Sequence, residues 1–168
     1  CKSQKFKKKF NEFDVEIVKK PSEAAFNNDI LISCVGNDND LKEIYFKKDG
    51  IFKNIKSNTF VIDHTTVSPK TARLCYDKFK NKKCYFLDAP VSGGEIGAIN
   101  GLLSVMVGGE NQIFEKLKLI LNVYSKSVIY MGKSGNGQLA KMVNQICVSG
   151  IIQGLAEGLN FGKKTGLN

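Results

Sequence analysis

Two short stretches of this chain hold side chains suited to chemistry on a small polar molecule. The first is Ser92-Gly93-Gly94, set within Asp88-Ala89-Pro90-Val91-Ser92-Gly93-Gly94-Glu95-Ile96-Gly97-Ala98-Ile99-Asn100-Gly101. A serine hydroxyl beside two residues without Cβ leaves O–H and N–H donors uncovered, an arrangement that suits a carboxylate or phosphate. The second is Gly135-Asn136-Gly137-Gln138-Leu139-Ala140-Lys141-Met142-Val143-Asn144-Gln145, a glycine-rich turn running into an apolar-periodic helix. Lys141, Asn144 and Gln145 stand at i, i+3 and i+4 and so share one helix face. One ammonium flanked by two amides reads as a polar site, not as a solubility stripe. Leu139, Met142, Val143 and Ile146 have helical spacing and are expected to form the buried side.

The elements that must position these groups alternate between two periodicities. Val15–Val18, Ile30–Val35, Thr59–Ile62, Cys84–Leu87, Ser104–Val107 and Ser127–Met131 are short β-branched or apolar runs that read as strands. Between them, Pro21–Ala25, Leu41–Phe46, a segment opened by Ser68 with Pro69 at its first position, and Glu110–Tyr124 read as helices. From about Gly137 a last helix runs toward the end. This alternation predicts an α/β fold, a mostly parallel Rossmann-like sheet with helices on both faces. Ligands of such sheets sit outside the carboxyl ends of the strands. The loops Val35-Gly36-Asn37, Asp63–Ser68 and Ser92–Gly94 all follow strands and are expected along one rim. His64, although adjacent to Asp63, reads as an ordinary loop residue.

Composition narrows the function classes. The net charge is +9, yet Arg73 is the sole arginine among 25 basic residues, and no nucleic-acid motif is present. The densest basic run, Lys7-Lys8-Lys9 between Phe6 and Phe10, reads as the solvated side of an amphipathic helix. Five widely spaced cysteines without a Cys-x-x-Cys pair indicate neither a disulfide framework nor a zinc site, and suggest a reducing cytoplasm. With a single histidine there is no His-based metal site, and Asn37-Asp38-Asn39-Asp40 lacks the glycine and terminal glutamate of a calcium loop. No apolar run approaches the ~18 residues of a membrane span. Neither a metal, a nucleic acid nor a membrane is therefore expected as partner.

The two motifs together resemble the β-hydroxyacid dehydrogenases, the family of 3-hydroxyisobutyrate dehydrogenase and tartronate semialdehyde reductase, with 6-phosphogluconate dehydrogenase more distant. The resemblance implies hydride transfer between NAD or NADP and a small β-hydroxyacid or its semialdehyde. It implies Lys141 as general acid/base, and Ser92, Gly93, Gly94, Asn144 and Gln145 as substrate-binding residues. It also places Val35, Gly36 and Thr66 along the dinucleotide. Gln145 stands where many relatives carry a second asparagine, and Val35-Gly36 where Leu-Pro is common. A small carboxylate substrate and, for the full-length protein, a homo-oligomer follow from the same resemblance.

The Gly-x-Gly-x-x-Gly turn that opens a dinucleotide-binding domain is absent before Val15, and Gly135-x-Gly137 lacks the third glycine. Residues 1–133 are thus expected to form a dinucleotide-binding domain without its first βαβ unit, and residues 134–168 the start of an all-α domain. The choice between NAD and NADP stays open. A non-catalytic binding or assembly module on the same scaffold is the alternative reading. Gly150, Gly154 and Gly158, four residues apart, suit either close helix approach or a tolerated run of small residues.

Overall fold

The computed structural model describes residues 15–167, so the Lys7-Lys8-Lys9 run lies outside the described residues. Three short strands, β1 (Ile30–Ser33), β2 (Phe60–Asp63) and β3 (Tyr85–Asp88), lie parallel, with Ile30 opposite Phe60 and Phe60 opposite Tyr85. Alternation along these strands sends Leu31, Val61 and Phe86 to one core and Ile62 and Leu87 to another. Helices α2 (Asp38–Phe46) and α3 (Pro69–Asn81) cover the first core with Leu41, Tyr45, Ala72, Cys75 and Phe79. The Phe79 ring stacks on Phe86 at 5.5 Å and meets Tyr45 edge-on at 5.0 Å. Helix α5 (Asn111–Asn122) supplies Ile113, Phe114, Leu117 and Leu121 to the second. Helices therefore occupy both faces, as the sequence predicts.

Local signals explain the helix starts. Pro21 and Pro69 open the short α1 (Pro21–Ala24) and α3, and the Ser68 hydroxyl accepts from the Thr71 amide at 3.2 Å. Asn37 caps α2 by accepting from the Asn39 and Asp40 amides, which accounts for Asn37-Asp38-Asn39-Asp40 as a helix start.

Beyond β3 the chain departs from a simple parallel order. A two-residue strand, β4 (Val91–Ser92), and a short helix, α4 (Gly94–Ile99), lead into β5 (Leu103–Gly108), which runs antiparallel to both β3 and β4. The last strand, β6 (Ser125–Gly132), is parallel to β5. Three of the five strand pairings are parallel. Strand direction has no signature in residue periodicity, so the reversal at β5 is a tertiary result.

Two expectations are corrected. Val15–Val18 is not a strand: among the described residues no strand pairs with it, and Val15 and Ile17 are exposed. The long helix α6 (Asn136–Lys164) does not bury Leu139, Met142, Val143 and Ile146, which are 43%, 47%, 61% and 72% exposed. Its buried residues are Gly137, Gln138 and Lys141, because only its first turns touch the sheet. Gly150, Gly154 and Gly158 lie on the exposed part, with open space where a Cβ would stand. Among the described residues no helix is long and apolar enough to cross a membrane.

Candidate functional site

The polar start of α6 is fixed by a buried carboxylate at the end of β3. Asp88 Oδ1 accepts from the Gly135 amide at 2.7 Å and from Ser134 Oγ at 3.2 Å, and Oδ2 accepts from the Gln138 amide at 3.2 Å. The two amides are among the unpaired N–H groups that every helix start presents, here satisfied by a carboxylate that complements the helix dipole. One residue, Gln138, then ties the helix to the loop after β2. Its Nε2 donates to Thr65 O at 2.7 Å and its Oε1 accepts from the Val67 amide at 3.1 Å. Lys141 follows Gln138 by three residues and so emerges on the same side, over the cleft.

That cleft has a volume of about 630 Å³ and is bounded by Ser92, Gly93 and Gly94 on one side and Lys141 and Gln145 on another. Cys34, after β1, and His64, after β2, complete the side nearest the sheet, and Tyr124 reaches in from the turn between α5 and β6. Gly93 has φ of 133° and Gly94 of 62°, conformations open to glycine and strained for other residues, so the bare backbone of this loop is required by its turn. Lys141 is only 8% exposed and has no hydrogen-bond or ion-pair partner among the described residues. Burial lowers the pKa of its ammonium. An amine held this way can change protonation state during a reaction.

The cleft also contains groups that sequence reasoning missed. His64 is buried, with Nδ1 2.6 Å from Ala89 O and Nε2 2.8 Å from the Tyr124 hydroxyl. Its partner is thus sixty residues away and not the adjacent Asp63. A lone histidine in a loop gives no sequence signal for such a contact. Cys34 is a passive wall, since burial and then the nearby Asp63 charge push its thiol pKa up.

Asp63 faces the other way, into the first core. Its Oδ1 accepts from Ser33 Oγ, Thr65 Oγ1 and the Thr65 amide, whereas Oδ2 is buried without a partner among the described residues. Burial, partly offset by these donors, raises its pKa from 3.8 to about 6. Between pH about 4 and about 6 the unfolded chain therefore releases a proton that the folded chain keeps, and stability falls as pH rises through that window. Asp63→Asn removes the effect. Urea unfolding at stepped pH should show the variant gaining about 2–3 kcal/mol on the parent between the two ends of the window. Parallel curves for the two proteins would refute this account of Asp63.

The structure thus gathers Lys141, Gln145, Ser92, Gly93 and Gly94 around one cleft and leaves the other expected positions outside its lining. Asn144 lies beside it on α6, donating to Gln145 Oε1 at 3.4 Å. Val35, Gly36 and Thr66 form an adjacent edge, where the Val35 amide donates to Thr65 Oγ1 at 3.1 Å and Gly36 and Thr66 are exposed. A larger cleft, about 770 Å³, lies at Arg73, Tyr76, Glu110 and Lys133. There Tyr76 donates to Glu110 at 2.6 Å and Arg73 to Ser134 O at 3.3 Å, and none of the sequence-predicted site residues lines it.

Comparison with known proteins places this chain in a family. Residues 2–132 match the family described as the NAD binding domain of 6-phosphogluconate dehydrogenase. An uncharacterized oxidoreductase of Shewanella frigidimarina is 45% identical over 148 residues, covering 88% of this chain and 51% of the relative. The mitochondrial 3-hydroxyisobutyrate dehydrogenase of Mus musculus is 32% identical over 161 residues, covering 96% of this chain and 48% of that protein. Among solved structures, the 3-hydroxyisobutyrate dehydrogenase of Mycobacterium tuberculosis with L-serine superposes with a TM-score of 0.79 at 29% identity, covering 87% of this chain and 49% of that one. The chain spans about half the length of the curated relatives it matches. With its parallel strands, helices on both faces and matching residues, the chain belongs to the family of the NAD-binding domain of 6-phosphogluconate dehydrogenase.

Proposed function

We propose that the full-length protein is an NAD(P)-dependent oxidoreductase that interconverts a small 3-hydroxy acid and its semialdehyde. The observation that carries this reading is the buried, unpaired Lys141 amine facing the Ser92-Gly93-Gly94 donors across one cleft. Donors on one wall hold a carboxylate through the Ser92 O–H and the bare backbone of the two glycines. Across the cleft, Lys141 Nζ takes the proton of the substrate hydroxyl in oxidation and returns it in reduction. Gln145 adds an amide that orients the same molecule, with Asn144 beside it. The unpaired Lys141 favours this over a non-catalytic module, in which a buried unpaired cation has no role to offset its desolvation cost.

The residues present also fit one side of a dinucleotide. The loops after β1 and β2 lie together, and Gly36 and Thr66 are exposed along an edge beside the cleft. NAD or NADP bound there supplies the hydride acceptor or donor. On this reading residues 1–133 belong to the dinucleotide-binding domain and residues 134–168 begin an all-α domain, with a homo-oligomer as the full-length assembly. The four free cysteines among the described residues support a reducing compartment, the cytoplasm.

The test is formation of reduced nicotinamide by the full-length protein offered NAD+ or NADP+ with short 3-hydroxy acids. Turnover is expected, with Ser92→Ala raising KM about tenfold, the effect of one lost hydrogen bond to a charged group. No reduction of either nucleotide with any such acid would overturn the assignment.

A further inference from the structure

The His64–Tyr124 pair has a hydrogen-bond polarity that the rest of the fold dictates. Ala89 O is a carbonyl and can only accept, so His64 Nδ1, 2.6 Å away, carries the ring proton. A neutral imidazole has one such proton, and its Nε2 is then an acceptor. The phenol 2.8 Å from Nε2 must give it its only hydrogen. Burial acts on both groups to hold these protons in place. Burial lowers the pKa of His64, which favours the neutral ring, and burial raises that of Tyr124 to about 12, which keeps the phenol protonated. The rings also meet edge-on at 5.5 Å, which limits rotation of either one.

Tyr124 and His64 line the same cleft as Lys141 and Ser92. With its hydrogen committed to His64, the Tyr124 oxygen offers only lone pairs to that space. The cleft is therefore asymmetric: donors at Ser92, Gly93, Gly94 and Lys141, and an acceptor at Tyr124. Resting on the oxidoreductase reading above, we propose that Tyr124, oriented by His64, is a specificity-determining residue that accepts a hydrogen bond from a second donor on the substrate. The substrate class is then a 3-hydroxy acid carrying a further hydroxyl or ammonium group beside the carboxylate, in preference to one carrying an alkyl group there. A methyl group at that position would displace water from the Tyr124 oxygen and return no hydrogen bond.

Two measurements test this. In the full-length protein, kcat/KM for 2,3-dihydroxypropanoate is compared with that for 3-hydroxy-2-methylpropanoate, two acids that differ by hydroxyl against methyl. The ratio is expected to favour the dihydroxy acid by at least about tenfold, the effect of one hydrogen bond to a partly desolvated group. Tyr124→Phe is expected to bring that ratio close to one. A parent ratio at or below one, or an unchanged ratio in the variant, overturns the proposal. The second readout needs no substrate: imidazole nitrogen chemical shifts, unambiguous because the chain has a single histidine. The Nδ1–H tautomer is expected at neutral pH, with an Nε2 signal that moves in Tyr124→Phe. An Nε2–H tautomer or an imidazolium would make Tyr124 the acceptor from His64, free its hydrogen for the cleft and overturn the role of the pair alone. Failure of the parent to turn over either acid would instead overturn the oxidoreductase reading, and the substrate class with it.

Discussion

Replacing Lys141 with alanine in the full-length protein is expected to lower kcat for hydroxyacid oxidation by about 10³-fold, the usual contribution of a positioned general acid–base. KM should change far less, because on the proposed reading the carboxylate is held by the opposite wall of the cleft. The same substitution should leave thermal stability at or above that of the parent. Lys141 is buried without a partner among the described residues, so its removal relieves a desolvated charge and breaks none of their hydrogen bonds. A loss of activity without loss of stability separates a chemical role from a structural one. The direction of pH dependence follows from the lowered pKa. Oxidation needs the neutral amine, so its rate should climb with pH through the Lys141 titration, at lower pH than an ordinary lysine would give. Reduction needs the ammonium and should fall over the same range. Near-full turnover in Lys141→Ala, or a plateau in oxidation rate that begins only above the normal lysine range, would remove this residue from the mechanism.

Gly137→Ala is expected to be the most destabilising single substitution in the first turn of α6. A Cβ at Gly137 would stand 2.5 Å from Met106 O and 2.7 Å from Asp88 O, both backbone atoms with no freedom to rotate aside. The helix would have to withdraw from the sheet. Withdrawal strains the Asp88 bonds to Gly135 and Gln138 and the Gln138 bonds to Thr65 and Val67. Overpacking of this kind costs about 1–3 kcal/mol, and each of these buried hydrogen bonds that breaks adds about 1 kcal/mol. Helix propensity alone predicts the opposite, a gain of about 1 kcal/mol from Gly to Ala. Gly154→Ala is the matched control, since open space surrounds it and only the propensity gain should appear. Chemical denaturation of the two variants decides the matter. Equal effects at the two positions would mean that close approach of α6 to β3 and β5 does not hold the helix in place. Because Lys141 lies one turn further on, Gly137→Ala should also displace the amine from the cleft.

Much of the scaffold was legible from residue order, because its signals are local. Pro69 preceded by Ser68 marks the start of α3, and the short apolar runs around Leu31, Val61 and Phe86 mark strands covered by helices. The amphipathic pattern of Ile113, Phe114, Leu117 and Leu121 likewise gives α5 and its buried side. Types and spacing, through the family resemblance they carry, also marked Lys141 and Ser92-Gly93-Gly94 as a candidate site. The same local logic misled for α6. Its apolar spacing says which residues share a face, but not whether anything covers that face, and in the described chain only the edge bearing Gly137, Gln138 and Lys141 meets the sheet.

What the tertiary structure alone decided concerns groups far apart in the chain. The antiparallel return of β5, the seating of α6 on Asp88 forty-seven residues upstream of Gly135, and the His64–Tyr124 contact across sixty residues have no periodic or motif signature. Each is settled by where a hydrogen-bonding group finds a partner once the chain has closed on itself. Residue order fixed the chemistry available to this protein. The direction in which that chemistry points, and which lone pairs and protons face the cleft, arose only from packing.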